Sequence, residues 1–147
     1  MSSQTPAETA IQALLTGLFV RLRGHATWSD RVYLNLAPAD VTEPYVMVVI
    51  QSGGETNFRT KVDADFQVQV RCVHPDISMA LTGQRALNAL LNDCGEQDDP
   101  ADFVNAGAVW TITTITKGEN LFITEQRPDN RQRIHAGDVY SIVMEQR

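Results

Sequence analysis

The segment KVDADFQVQVRC, residues 61–72, constrains the fold of this chain more than any other part of the sequence. One parity is apolar and comprises Val62, Ala64, Phe66, Val68, Val70 and Cys72. The other parity is polar and comprises Lys61, Asp63, Asp65, Gln67, Gln69 and Arg71. Successive side chains of a β-strand point to opposite faces, so an unbroken period of two predicts a long strand with one face in a core. The polar face must then lie against water or against a partner.

Two other segments have the spacing of amphipathic helices. Apolar residues recur every three or four positions from Ile11 to Leu22, after the sequence TPAE at residues 5–8, which has the composition of a capping box. The second helix follows Pro75 and Asp76, and we expect Asp76 to cap it and Gly95 to end it. Its inner stripe includes Gly83, where the missing side chain would let the helix approach a sheet closely.

Four more strands are predicted, at residues 31–36, 45–50, 109–116 and 138–145. The parity slip between Ile112 and Ile115 predicts a β-bulge or a change of the covered face. The polar sequence GGETNFRTK is expected to project as an arm between two strands of a hairpin. Residues 117–120 are expected to turn the chain, residues 121–124 to form a short return strand, and residues 125–133 to form a polar loop.

This order of elements predicts an α+β fold. We expect a mixed, mainly antiparallel β-sheet of four to six strands, with two helices packed on one face and a projecting β-hairpin arm. The chain has 147 residues and 43% hydrophobic content, which fit a single domain over residues 1–147.

Composition excludes several classes of protein. A net charge of −6 argues against general binding of nucleic acid. The longest apolar run, residues 45–50, is too short to cross a bilayer, and the N-terminus lacks the pattern of a secretory signal. We therefore expect a soluble protein of the cytoplasm, in which both cysteines, Cys72 and Cys94, are reduced.

Residues with catalytic chemistry do not form a recognisable motif. The histidines lack a neighbouring nucleophile, and no serine lies in a G-x-S-x-G context. The carboxylates after the second helix lack the glycine and glutamate of a calcium-binding EF-hand loop. We therefore predict that the protein is not an enzyme and has no cofactor and no metal.

The segments PYVMVVIQSGG, DADFQVQVRC and RQRIHAGDVYSIVMEQR, with a capped helix before them and a helix after Pro75 and Asp76, resemble the tail terminator (tail completion) proteins of long-tailed bacteriophages. The resemblance covers residues 7–146. It implies a virion protein, assembled in the host cytoplasm, that forms a hexameric ring on the last ring of the tail tube. Such a ring ends tube growth and offers its other face to the head completion or connector proteins, while DNA passes through without specific binding.

Two sets of residues are candidates for these contacts. Aromatic residues and arginine are enriched at interfaces, so we expect contacts with the neighbouring subunit or the tube at Asn57, Phe58, Arg59, Arg127, Arg131 and Arg133. An acidic channel would let DNA slide, and its candidate lining residues are Asp63, Asp65, Asp98, Asp99 and Asp102. The polar face of residues 61–72 would thus meet either the next subunit or the channel. Two alternatives are another neck or head–tail connector component and, more distantly, a small-molecule-binding α+β domain.

Overall fold

The computed structural model describes residues 9–23, 25–37, 41–58, 61–91, 110–128 and 131–146, with the backbone alone for residues 56–58, 61, 62 and 146. Its elements in chain order are α1 (Ala10–Arg23), β1 (Val32–Leu34), β2 (Tyr45–Phe58), β3 (Lys61–His74), α2 (Ile77–Leu91), β4 (Trp110–Gln126) and β5 (Gln132–Gln146). The predicted α+β fold is confirmed.

The strands form one five-stranded sheet in the order β1-β2-β3-β5-β4. β1 pairs parallel with β2, and every other neighbouring pair is antiparallel. The alternating strand β3 lies at the centre, between β2 and β5. As predicted, its apolar parity is buried from Ala64 to Cys72, whereas Asp65 on the other parity is exposed.

Both helices pack on the same face of the sheet. Leu14 and Leu18 of α1 and Leu87 of α2 join one core cluster with alternate residues of the central strands, such as Val68 and Tyr140. The opposite face carries no helix among the described residues, and we call it the open face. As predicted, Gly83 allows close packing, since a Cβ atom placed there would lie 2.2 Å from the Cys72 Sγ atom.

The two helices are capped by local sequence. Asp76 Oδ1 accepts hydrogen bonds from the backbone N–H of Ser78 and of Met79, at 2.8 and 3.3 Å, which confirms the predicted cap of α2. Helix α1 begins later than the sequence suggested, after Thr9, and Thr9 and Gln12 bond each other's backbone N–H groups as a capping box. The predicted box at residues 5–8 and the predicted end of α2 at Gly95 lie outside the described residues.

Most of the polar connection expected to project as an arm belongs instead to the two strands. The β2–β3 pairing continues to Phe58 and Lys61, and the Glu55 carboxylate accepts a hydrogen bond from the Ala10 N–H at the start of α1. The last pair between β3 and β5 joins Asp63 and Glu145, so the hairpin extends past β5 only beyond this point. We call residues 54–58 and 61–65 the hairpin end.

The expected turn at residues 117–120 and the expected extent of the polar loop, residues 125–133, were wrong, although residues 127 and 131 do lie between two strands and the predicted bulge after Ile112 is confirmed. β4 does not turn back at residues 117–120 but shifts its register there and continues along β5 to Gln126. Glycine and asparagine favour turns, but they also suit a β-bulge, and the pattern alone does not separate these outcomes. β5 begins at Gln132, which places Arg133 in a strand and not in a polar loop.

Candidate functional site

The two edges of the sheet differ in how far they are covered. On one edge, the short strand β1 pairs only with Val46, Met47 and Val48 of the long strand β2. On the other edge lies β4, and within the described residues no strand pairs with its outer side. The described part of the chain therefore presents strand edges on two opposite sides, which are surfaces at which another chain can bind.

The predicted interface residues lie at opposite ends of the strands. Asn57 and Phe58 form the last described pairs of β2, at the hairpin end, whereas Arg59 lies outside the described residues. Arg127 and Arg131 close the hairpin between β4 and β5, where the Arg127 N–H donates a hydrogen bond of 2.8 Å to the Arg131 carbonyl oxygen. Arg131 is exposed and Arg127 is half-buried.

Arg133 is held inside the fold, with 7% of its surface exposed. Its Nε atom lies 2.8 Å from Glu43 Oε2 in an ion pair, and its Nη1 atom donates a hydrogen bond of 3.3 Å to the Tyr45 hydroxyl. The guanidinium also lies over the Tyr45 ring, 5.5 Å from the ring centre. Arg133 therefore joins β5 to the start of β2, and its predicted role in an interface stays a prediction.

A second polar network crosses the open face beside Arg133. Arg71 Nη1 lies 3.2 Å from His135 Nδ1, and His135 Nε2 lies 2.8 Å from Glu125 Oε1. Because arginine can only donate, Nδ1 must accept, and Nε2 then carries the proton that is donated to Glu125. Burial lowers the pKa of His135, with the nearby charge of Arg71 acting in the same direction and the hydrogen bond to Glu125 opposing it. The network therefore holds a neutral histidine between a cation and an anion.

Local sequence patterns contain no clear sign of this network, because residues 125–133 were expected to form a loop and His135 to adjoin the end of an element. The pairing of β4 with β5 brings Glu125 to Arg133 and Ile123 to His135 in register, which places these side chains on one face. The network depends on that register, which local patterns do not specify.

The predicted channel acids divide into two groups. Asp98, Asp99 and Asp102 lie outside the described residues. Asp63 and Asp65 lie on the open face at the hairpin end, where Asp65 is exposed and Asp63 is half-buried, directly across the strand pair from Glu145. The open face is thus acidic at the hairpin end and carries Arg71 and Arg133 toward its other end.

A groove lies on the helix side of the sheet, between α2 and the bulged part of β4. It has a volume of about 330 Å³. Its lining residues are Leu81, Gln84, Arg85, Asn88, Lys117 and Asn120. We call it the α2–β4 groove. A second cavity, of about 400 Å³, lies on the open face and has three glutamines, Gln51, Gln67 and Gln69, in its lining.

Asp138 lies fully buried beside the α2–β4 groove. Gln84 Nε2 donates to Asp138 Oδ1 at 3.3 Å and to the Gly137 carbonyl oxygen at 2.9 Å. Burial raises the pKa of Asp138, while the positive charge of Lys117 opposes this effect. The sequence carried a signal for this residue, because Asp138 shares the apolar parity of β5 with Tyr140 and Ile142.

The described residues offer little catalytic chemistry. They contain no group of three or more histidine, cysteine, aspartate or glutamate side chains that could hold a metal ion. Cys72 is buried, and burial raises its pKa to about 12, so its thiol is protonated and unreactive at neutral pH. Neither described helix is long and apolar enough to cross a membrane.

Comparison with known proteins gives a match in structure alone. No family model and no curated protein matches the sequence. A solved structure titled "Virion of native gene transfer agent (GTA) particle" contains a chain similar to this one, with a TM-score of 0.64 and 12% sequence identity. The match covers 95% of this chain and 99% of the other. At this identity the similarity establishes that the two chains share a fold.

Proposed function

We propose that this protein is a structural component of a phage-like virion and forms a ring at the head-proximal end of the tail tube. The ring ends tube growth and provides the surface that joins the head completion proteins. The observation that carries the proposal is the fold shared with a chain of a gene transfer agent virion over 95% of this protein. The finer assignment is supported by the resemblance of residues 7–146 to tail terminator proteins.

The arrangement of the sheet is compatible with a ring. A closed ring needs a head-to-tail contact between two different surfaces of the same chain. β1 and β4 lie at the two ends of the strand order, and β1 covers only residues 46–48 of β2, so the remaining outer side of β2 and the outer side of β4 face away from each other. Copies that contact through these two sides can form a closed ring, and the resemblance favours a hexamer.

The two ends of the strands suit the two faces of such a ring. Asn57 and Phe58 belong to the hairpin end, and Arg59 follows them in the sequence, whereas Arg127 and Arg131 lie at the opposite end of the sheet. We assign these two ends to contacts with the neighbouring subunits, the tail tube and the head completion proteins. Asp98, Asp99 and Asp102 are proposed to line the channel, since the net charge of −6 disfavours retention of DNA.

Two other functions compete with this one. Another neck or head–tail connector component would share the fold and the location in the virion. A small-molecule-binding domain would need a pocket that encloses its ligand, and the α2–β4 groove and the cavity on the open face are both open to solvent. We therefore favour the structural role.

The first experiment measures assembly of the purified protein by native mass spectrometry and negative-stain electron microscopy, with and without tail tubes. We expect rings with a central hole, free in solution or seated on tube ends. A compact monomer that also fails to bind tubes would contradict the proposal.

A second experiment separates a terminator from a connector. Loss of the protein from a producing phage should leave tubes of variable, excessive length if it ends tube growth. Tubes of normal length that lack heads would instead indicate a connector component.

A further inference from the structure

We propose that the α2–β4 groove binds the hairpin end of a neighbouring copy of this chain, so that Asp63 and Asp65 of one copy meet Arg85 and Lys117 of the next. The inference rests on the proposed ring and identifies the contact that links its subunits. It assigns the acids of β3 to the neighbouring subunit and not to the DNA channel.

The groove has the chemistry to receive an acidic segment. Arg85 and Lys117 are exposed on its two walls, and neither takes part in an ion pair shown within the described part of the chain. Asp138, whose carboxyl group interacts with the charge of Lys117, is buried and is not among the lining residues of the groove. The lining of the groove therefore carries positive charge on a protein whose overall charge is −6.

The groove also has an apolar border. Leu81 is 42% exposed and lines the groove, and Phe122 is 52% exposed on β4. Phe122 pairs in register with Ala136, which packs with Ala80 near the start of α2, so Phe122 lies on the same side of the sheet as the groove. Exposed apolar side chains next to cations are typical of surfaces that bind another protein.

The hairpin end has the complementary chemistry. Asp65 is exposed, and Asp63 faces Glu145 directly across the β3–β5 pair. The Asp63 Oδ1 atom is buried and has no hydrogen-bond partner within the described residues. Cations supplied by another copy would pair with the exposed Asp65 and lie near the half-buried Asp63.

The topology allows the contact to repeat. The hairpin end includes β2, near one edge of the sheet, whereas the groove is walled by β4 at the other edge. The two surfaces therefore face different neighbours, as a head-to-tail ring requires.

Disulfide crosslinking tests the contact even if association is weak. An Asp65→Cys chain is mixed with a Lys117→Cys chain, both carrying Cys94→Ser, while the buried Cys72 is retained because its pKa of about 12 keeps it unreactive. The control mixture replaces Asp65→Cys by Asp30→Cys, at another exposed site. We expect several-fold more linked dimer from the first mixture, and equal yields would overturn the inference.

Charge reversal supplies a second test in the assembled protein. Asp63→Lys/Asp65→Lys and Arg85→Glu/Lys117→Glu should each weaken self-association roughly tenfold or more, because every contact then joins like charges. Mixing the two variants should restore assembly, since in an alternating ring every contact again joins opposite charges. If the half-buried Asp63 does not tolerate lysine, Asp65→Lys alone is paired with Lys117→Glu.

The outcomes separate this inference from the proposed function. Rings that form undiminished from either variant alone, or crosslinks no stronger than the control, overturn the groove contact and leave the ring standing. A wild-type protein that forms no ring, alone or on tubes, contradicts the proposed function itself.

Discussion

Replacing Gly83 by alanine tests how closely α2 approaches the sheet. A Cβ atom at this position would lie 2.2 Å from Cys72 Sγ and 2.8 Å from Cys72 Cβ, whereas ordinary contacts begin at 3.4 Å. The helix must therefore move away from β3, or Cys72 must be displaced within a filled core. Overpacking of this kind costs about 1–3 kcal/mol, and the severity of the overlap favours the upper end.

Helix propensity acts in the opposite direction. Alanine is favoured over glycine in a helix by about 1 kcal/mol, so without the contact Gly83→Ala would stabilise the protein. Subtracting this gain from the overpacking cost predicts a net loss of about 2 kcal/mol in the free energy of unfolding. The sign of the change thus reports whether the helix lies against Cys72.

A double-mutant cycle isolates the contact. Cys72→Ala removes the sulfur atom, so Gly83→Ala should cost less in that background, with a coupling of about 1 kcal/mol or more. Urea denaturation followed by the fluorescence of the buried Trp28 and Trp110 provides the free energies. The matched control is the reverse exchange Ala89→Gly at an exposed position of the same helix, which changes helix propensity alone. Its effect on the free energy of unfolding should add to that of Cys72→Ala. Stabilisation by Gly83→Ala, or full additivity with Cys72→Ala, would refute the reasoning.

Three further predictions concern other parts of the fold. Burial lowers the pKa of His135 from 6.5, so on acidification the unfolded chain binds this proton before the folded chain does, and the free energy of unfolding should fall as the pH drops below about 6.5. Urea midpoints of the wild type and of His135→Gln, measured at pH 7.5 and 5.5, check this prediction. An equal change of midpoint in both proteins would contradict it. Asp76→Ala should cost about 1 kcal/mol by removing the cap of α2, whereas Asp76→Asn should retain most of that stability in the same titration. Gly137→Ala would place a Cβ atom 2.1 Å from the Val70 carbonyl oxygen, so we expect loss of soluble protein, while Gly54→Ala, with no atom within 4 Å, should keep its wild-type melting temperature.

The sequence predicted the features that depend on local periodicity. The alternation of β3 identified its buried face, and Gly83 and Asp76 were assigned their roles in packing and capping correctly. These features are local because a period of two, a missing Cβ atom or a capping carboxylate acts within a few residues.

The features that were missed depend on which strands pair and in what register. Turn-forming residues at positions 117–120 suggested a reversal, yet β4 continues because its second half pairs with β5. Arg133 was expected on a loop, but the same pairing draws it into an ion pair with Glu43, far away in the sequence. Which side chains meet in such an ion pair depends on the register between strands that are distant in the sequence, so local propensity could not predict the pair.

The register shift in β4 between Lys117 and Asn120 affects how copies of the chain can associate. β4 is a long edge strand, and long regular edges associate with each other without specificity unless they are interrupted. The register shift between Lys117 and Asn120 interrupts this edge, and Lys117 adds a charge at the same place, which are two features that limit simple strand addition. Recognition at this side of the sheet must therefore come largely from side chains. In the proposed contact, the cations of the α2–β4 groove would supply such recognition and would select an acidic partner over an arbitrary strand.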